Sequence, residues 1–323
     1  MTQLYGYRLI NMRFSITIPA YKSSYLKEAI DSCLAQTYHD FELVIVNDHS
    51  PEDIDSIINQ FDDTRIRYYV NEKNCGALNV VDNWNRCLEY AKGDYVICMG
   101  DDDRLLPNCL EEYKKLTESN PEFNVFHMRT EIIDENGSVI ERLEERLPVE
   151  SVYSLIWNRQ ILRRKQFIGD FLFNTKYLRE RGGFYKIPLG TFSDDITVAI
   201  ISSNRGIVNC NHFGFQYREH SMTISRKREW RQIALSAYLA YNWYNNFLST
   251  PIRDQKEDYY RCKTLQNLKY YFQRWYNSMI DADMQDRPTS ALLFWISKHK
   301  IFNFSVFYVF RLFFHYIRVK KKL

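Results

Sequence analysis

The chain has 323 residues, 45% of them hydrophobic and 26% charged, so it can bury a large core and is not a disordered polymer. A net charge of +3 conceals an asymmetry: residues 226–323 carry 18 Lys and Arg against 7 Asp and Glu, and the acidic excess lies in residues 1–225. A basic end on an acidic body points to an anionic partner such as a membrane surface, and no nucleic-acid recognition motif accompanies it.

The seven cysteines, at 33, 75, 87, 98, 109, 210 and 262, show neither CxxC nor Cys/His metal spacing and read as reduced core thiols. No signal peptide opens the chain, and no apolar stretch reaches transmembrane length without a charge. The expected compartment is therefore the cytoplasm. Met12 precedes the first strand, so residues 1–13 read as an N-terminal extension.

In chain order, Phe14–Ile18 is a strand ending at Pro19, and Tyr25–Ala35 has helical spacing. Phe41–Val46 is a second strand, followed by a helix near Asp53–Phe61. A third strand (Arg65–Val70), a helix (Ala77–Ala91) and a fourth strand (Asp94–Met99) follow. Repeated β-α-β units with short connections predict a mostly parallel sheet with helices on both faces. A helix (Asn108–Ser119) and a strand (Asn124–Arg129) extend it, and Asn136-Gly137 predicts a hairpin within Glu131–Leu147. Strand-like Phe167–Phe173 precedes a helix near Lys176–Arg181 and another after Asp194. Beyond Arg226 the pattern is helical throughout.

Asp101, Asp102 and Asp103 follow the fourth strand directly, at the strand end where open α/β sheets bind ligands. Three adjacent carboxylates repel one another unless positive charge joins them, and a hard divalent cation with phosphate fits. The competing reading is an acidic cap for the helix near Pro107.

Five motifs in order resemble the inverting family 2 glycosyltransferases of GT-A fold. Ser15–Tyr21 resembles that family's first strand with its Pro-x-Tyr exit, and Glu42–Ser50 its second strand with an acidic pair before Ser. Asn83–Cys87 and Ala91–Tyr95 lead to its Asp-x-Asp site. Gly182-Gly183-Phe184 with Asp194-Asp195 resembles the acceptor-side motif, and Tyr217–His220 completes the set. Two departures stand out. Gly100 occupies the position of the first acid of Asp-x-Asp, and Asn47 replaces the first acid of the second-strand pair.

The resemblance implies a catalytic unit over residues 14–225, with 226–323 as a helical extension. It implies transfer of a hexose from a nucleotide-diphosphate sugar, with UDP favoured, to a saccharide or lipid-linked acceptor in surface-polysaccharide assembly. Mg²⁺ or Mn²⁺ would be held by Asp102 and Asp103, bridging phosphate oxygens as such ions prefer. Asp195 would be the general base, with Asp194 the second candidate. Pro19, Tyr21, Asp48, Lys73, Asn74, Asp101, Arg218 and His220 would line the donor site. For Asp48 the competing role is an Asx turn before Pro51, and for Asp194-Asp195 a helix cap.

The segment 301–323 is intensely aromatic. Read as one helix, it places Asn303, Arg311, His315 and Arg318 on one side of a broad apolar face, with lysines at its end. Such a helix suits peripheral contact with an anionic membrane, or packing on the protein itself. Two other functions compete with transfer. A sugar-nucleotide pyrophosphorylase would favour a Gly-rich loop after the first strand, which residues 19–24 lack. A non-catalytic nucleotide-sugar-binding scaffold draws its only support from Gly100 and Asn47.

Overall fold

The computed structural model describes residues 13–220 and 229–320. The expected N-terminal extension, Arg13 excepted, and Lys321 and Lys322 lie outside the described residues. In the first half, β1 (Phe14–Ala20), α1 (Leu26–Leu34), β2 (Phe41–Asn47), α2 (Ile54–Ile58), β3 (Ile66–Val70), α3 (Val80–Tyr90) and β4 (Tyr95–Cys98) alternate as the apolar runs predict. Every residue of β2 and β4 is buried, the signature of a parallel sheet covered on both faces.

The elements that follow are β5 (Arg104–Leu105), α4 (Cys109–Ser119), β6 (Val125–Ile133), β7 (Val139–Arg142), β8 (Val149–Glu150), α5 (Val152–Ile156), β9 (Phe171–Asn174), α6 (Thr175–Glu180), α7 (Ser193–Ser202) and β10 (Ile207–Arg218). The sheet order is β3-β2-β1-β4-β9-β6-β10-β5, with β7 on β6 and β8 on β10. β6 extends the parallel set only through β9, which runs antiparallel to both β4 and β6. The strand-like stretch 167–173 is shorter than expected, because Ile168–Asp170 forms a 3₁₀ turn before β9. The hairpin forms as predicted around Gly137, whose φ of 84° suits glycine.

Four helices complete the described chain: α8 (Trp230–Ser249), α9 (Gln255–Asp286), α10 (Pro288–Phe302) and α11 (Val306–Lys320). They share one apolar core with Ile187, Leu189, Phe192 and Ile196, so the helical region packs directly behind the segment leading into α7. Buried Asp283 ties three of them together, accepting from Arg231, Arg287 and Trp295 at 2.9, 2.6 and 2.9 Å. The single helix expected over 301–317 is instead two, because Asn303 adopts a left-handed conformation (φ 52°) that caps α10. Asn tolerates that geometry better than most residues. Val309 and Leu312 of α11 pack inward, whereas Phe307, Phe310 and Phe314 stay exposed beside Arg311 and Arg318.

Candidate active site

The ends of β1, β2 and β4 converge. β1 pairs with β2 through Ala20↔Asn47 and with β4 through Thr17↔Cys98, so the loops leaving these strands share one edge. Asp101 Oδ2 accepts from the backbone N–H groups of Tyr21 and Lys22, both at 2.7 Å. This carboxylate clamps the β1 exit onto the acidic loop, the position where a donor role was expected. Tyr21 itself is exposed, and its carbonyl accepts from Ser50 Oγ at 2.5 Å. Pro19 is the next-to-last residue of β1, opposite Val46.

None of the three aspartates caps a helix. The acidic loop runs into β5, and α4 begins later, after Asn108. Asp102 is partly exposed and its Oδ2 lies 2.8 Å from His220 Nε2. The His220 ring in turn packs on Tyr25, with centroids 5.1 Å apart.

Asp103 was expected to hold a metal ion together with Asp102. It is 4% exposed and folds back under the loop, where Oδ1 accepts from Arg218 N–H at 3.0 Å. Burial, and then the Asp102 charge, raises its carboxyl well above the usual range. The same two causes push Asp101 up to about 6. The loop thus holds more negative charge than its surroundings neutralise.

Arg218 lies beneath the same loop. It was expected to reach the donor, but its side chain is fully enclosed. Its guanidinium donates to Asp102 O (2.9 Å), to Asp134 O and Glu135 O (both 3.2 Å), and to Glu28 Oε2 (2.8 Å). Its plane covers Tyr25 at 4.2 Å. Arg218 is the buried post on which the acidic loop rests.

Gly100 is explained by the same loop. A Cβ there would sit 2.8 Å from Asp102 Oδ1 and 2.8 Å from Asp103 Oδ2. A fourth acid, at position 100, would require both of these carboxylates to shift.

At the end of β2, Asp48 Oδ1 accepts from Asn71 Nδ2 (2.9 Å) and from Cys75 N–H (3.0 Å). Asn47, not Asp48, makes the turn before Pro51, with Oδ1 accepting from Ser50 N–H at 2.9 Å. The substitution at position 47 therefore suits a turn, and Asp48 faces the loop after β3. On that loop Lys73 is exposed, and Asn74 Oδ1 accepts from Gly76 N–H.

Asp194 and Asp195 open α7, but the N-cap position is Phe192 and no side chain caps the helix. Phe192 and Leu189 both adopt left-handed backbones, with φ of 70° and 63°. Each such strain costs roughly 1–3 kcal/mol and persists only when packing enforces it. The Phe192 ring is held by Phe272 and Trp275 of α9, with centroids 5.6 and 5.2 Å away. Through these contacts the helical region braces the acidic pair.

Asp195 is 3% exposed. Its Oδ1 accepts from Arg159 Nε and Gln166 Nε2, both at 2.7 Å, while Oδ2 has a longer contact with Gln160 Nε2 at 3.4 Å. Arg159 and Gln160 both lie on Trp157–Ile161, which winds as a π-helical turn, a form often found at functional sites. These three partners were not anticipated. They lie 29 to 36 residues from Asp195, and no spacing rule connects them.

Burial, then the Asp195 charge, pushes Asp194 up to about 8 from an ordinary 3.8. The native state therefore holds this proton where the unfolded chain releases it. Stability contributed by the proton is full below about pH 4 and is lost as pH rises toward about 8. Asp194→Asn, which mimics the protonated form, should flatten that decline. In thermal melts at pH 8 it should raise Tm by roughly 2–4 °C. Parallel wild-type and variant Tm curves from pH 4 to 9 would show that Asp194 ionises normally.

The sequence model described as "Glycosyl transferase family 2" matches residues 15–186, over half of the chain and most of the strands just described. The chain belongs to glycosyltransferase family 2. An uncharacterized glycosyltransferase of Rickettsia felis is 32% identical over 178 residues, covering 53% of this chain and 28% of the relative. The GalNAc(5)-diNAcBac-PP-undecaprenol beta-1,3-glucosyltransferase of Campylobacter jejuni is 34% identical over 101 residues, covering 30% and 32%. The Escherichia coli UDP-Glc:alpha-D-GlcNAc-diphosphoundecaprenol beta-1,3-glucosyltransferase WfgD is 31% identical over 127 residues, covering 39% and 48%. The chain spans less than half the length of each of these relatives.

Among solved structures, Staphylococcus aureus TarS 1-349 with UDP-GlcNAc aligns with a TM-score of 0.63 at 16% identity, covering 90% of this chain and 88% of that one. The mannosyltransferase PcManGT of Pyrobaculum calidifontis, with GDP-Man and Mn²⁺, gives 0.54 at 13%, covering 95% and 87%. At these identities the likeness establishes the GT-A fold. Family 2 membership also removes the pyrophosphorylase alternative.

Proposed function

We propose that this family 2 chain transfers a sugar, with inversion, from a nucleotide-diphosphate sugar to a saccharide acceptor, within a catalytic unit over residues 14–225. The observation that carries the reading is the Asp101 clamp, which joins the β1 exit to the acidic loop beside Asp102 and His220. UDP is the favoured nucleotide, with Asp48 at the end of β2 proposed to accept from a base N–H such as uracil's. Lys73, Asn74 and Tyr21 line the approach to it.

The residues present fit a divalent cation. Asp102 offers a partly exposed carboxylate in a loop whose other two carboxyls are raised by burial and by the Asp102 charge. Mg²⁺ or Mn²⁺ there would offset negative charge on the departing diphosphate. Asp103 and Arg218 shape the loop from beneath.

Asp195 is the proposed base. The acceptor hydroxyl gives its proton to Asp195 Oδ2, the oxygen less tightly held, as its oxygen bonds the anomeric carbon. The bond from that carbon to the diphosphate breaks on the opposite side, and nucleoside diphosphate leaves. Arg159 and Gln166 fix the carboxylate, and Asp194 stays protonated near neutral pH, relieving repulsion within the pair. A panel of nucleotide sugars assayed for nucleoside diphosphate release tests the reading, and no release with any donor would favour the scaffold alternative.

Support for an acceptor class comes from two relatives, which are named for diphosphoundecaprenol-linked substrates. We extend this to a lipid-linked saccharide acceptor in surface-polysaccharide assembly, with α11 resting on the membrane. Among the described residues no helix is long and apolar enough to cross one. Support for peripheral contact comes from the exposed Phe307, Phe310 and Phe314 interleaved with Arg311 and Arg318. Replacing the three phenylalanines by serine should lower binding to anionic vesicles at least tenfold, since each apolar side chain contributes roughly 1–3 kcal/mol when buried. Equal co-sedimentation of variant and wild type would leave α11 without that role.

A further inference from the structure

A second concavity, of about 330 Å³, lies between β6, the β7–β8 connection and the segment 162–165. It contains none of the acidic-loop residues. Its lining includes six guanidinium or ammonium groups and only two carboxylates, Glu141 and Glu144. Both carboxylates are already engaged, Glu141 with Lys165 at 2.5 Å and Glu144 with Arg164 at 3.1 Å. Arg129 and Arg142 pair outward with Glu145 and Glu131. Among the described residues, no ion pair involves Arg146 or Arg163.

Arg146 is the unusual member. It is 6% exposed, and while Nη2 donates to Lys165 O at 3.3 Å, Nη1 has no hydrogen-bond partner. His127, 2% exposed on the same wall, has neither ring nitrogen hydrogen-bonded. Its nearest acid is Asp170, at 3.7 Å. Burial, reinforced by the Arg146 charge, lowers the His127 imidazole to about 4, so it is neutral at pH 7. Burial also pulls Arg146 down to about 10, against the opposing pull of Asp170. A buried guanidinium with an unmade hydrogen bond loses about 1–3 kcal/mol or more unless something accepts from it. Guanidinium forks match phosphoryl oxygens in geometry and charge.

We propose that this pocket binds a phosphoryl oxyanion at a site separate from the donor's diphosphate, with Arg146 and Arg163 as its main contacts. The pocket shares a wall with the proposed base. Gln166, next to Lys165, donates to Asp195, and Arg159 Nη1 donates to Arg164 O at 3.0 Å. An occupant would therefore steady the segment that holds Asp195. That coupling rests on the transfer reading above, whereas the binding itself does not.

The test is titration of the full chain with inorganic phosphate in EDTA, followed by calorimetry, so that no donor or metal is needed. Saturable binding is expected, weakened at least fivefold in both Arg146→Met and Arg163→Asn. The second variant guards against a folding defect, because Arg163 is exposed and Asn accepts its left-handed backbone (φ 62°). No saturable binding to wild type would overturn the proposal, as would equal binding in Arg163→Asn. Binding that appears only when Mn²⁺ replaces EDTA and is lost in Asp102→Asn would place the anion in the donor site and also overturn it. An adventitious ion only, bound weakly and alike in all variants, would do the same. Given binding, competition by phosphate against a diphospholipid-linked acceptor identifies the acceptor as the source, and binding without competition identifies a free anion.

Discussion

Asp195→Asn should reduce sugar transfer by roughly 10²–10⁴-fold in kcat, the usual contribution of a positioned general base. Asn keeps the shape and can still accept from Arg159 and Gln166, so the fold and the donor KM should hold. What it lacks is a carboxylate to take the acceptor proton. The companion variant Asp194→Asn should retain most activity, because burial and the Asp195 charge raise the Asp194 carboxyl and favour the neutral form that Asn mimics. The measurement is nucleoside diphosphate release under saturating donor and acceptor, with circular dichroism to confirm folding. If Asp194→Asn were the inactive variant and Asp195→Asn the active one, the two roles would be reversed.

Asp102→Asn should be comparably severe. Among the acidic-loop carboxylates, Asp102 alone is neither clamped to the β1 exit nor folded beneath the loop. Its replacement removes the charge best placed for a divalent cation. A cation at a leaving diphosphate contributes several kcal/mol, which corresponds to roughly 10²–10⁴-fold in rate. Wild-type enzyme in EDTA should fall to a similar level and recover on adding Mn²⁺ or Mg²⁺, whereas the variant should recover little. Undiminished turnover in EDTA would reject the metal assignment and leave His220 and Asp102 to serve the diphosphate without it.

Much of the first half was legible because its signals are local. The apolar runs 14–18, 41–46 and 95–99 are strands for a reason contained within five to seven residues, and their acidic or turn-forming exits follow directly. The rank of strands in the sheet was not legible. β9 inserts antiparallel between β4 and β6, and its place depends on packing between segments more than 40 residues apart in sequence. The tail misled for a related reason. Its aromatic pattern runs through Asn303 without interruption, but a left-handed backbone there divides it into two helices.

The site divides the same way. Asp48, Asp102, Asp194 and Asp195 could be named from motifs, since each sits at the end of an element that local sequence defines. Asp103 and Arg218 have the right residue types in the right motifs, yet burial turns both inward to support the loop. Arg159, Gln160 and Gln166, and the basic pocket beside them, have no local signature at all. The sequence by itself determined that three carboxylates would stand at the end of the fourth strand, because strand and loop propensities act over a few residues. Only the tertiary structure decided which carboxylate faces outward, since that depends on Arg218, His220 and the β1 exit arriving from distant parts of the chain.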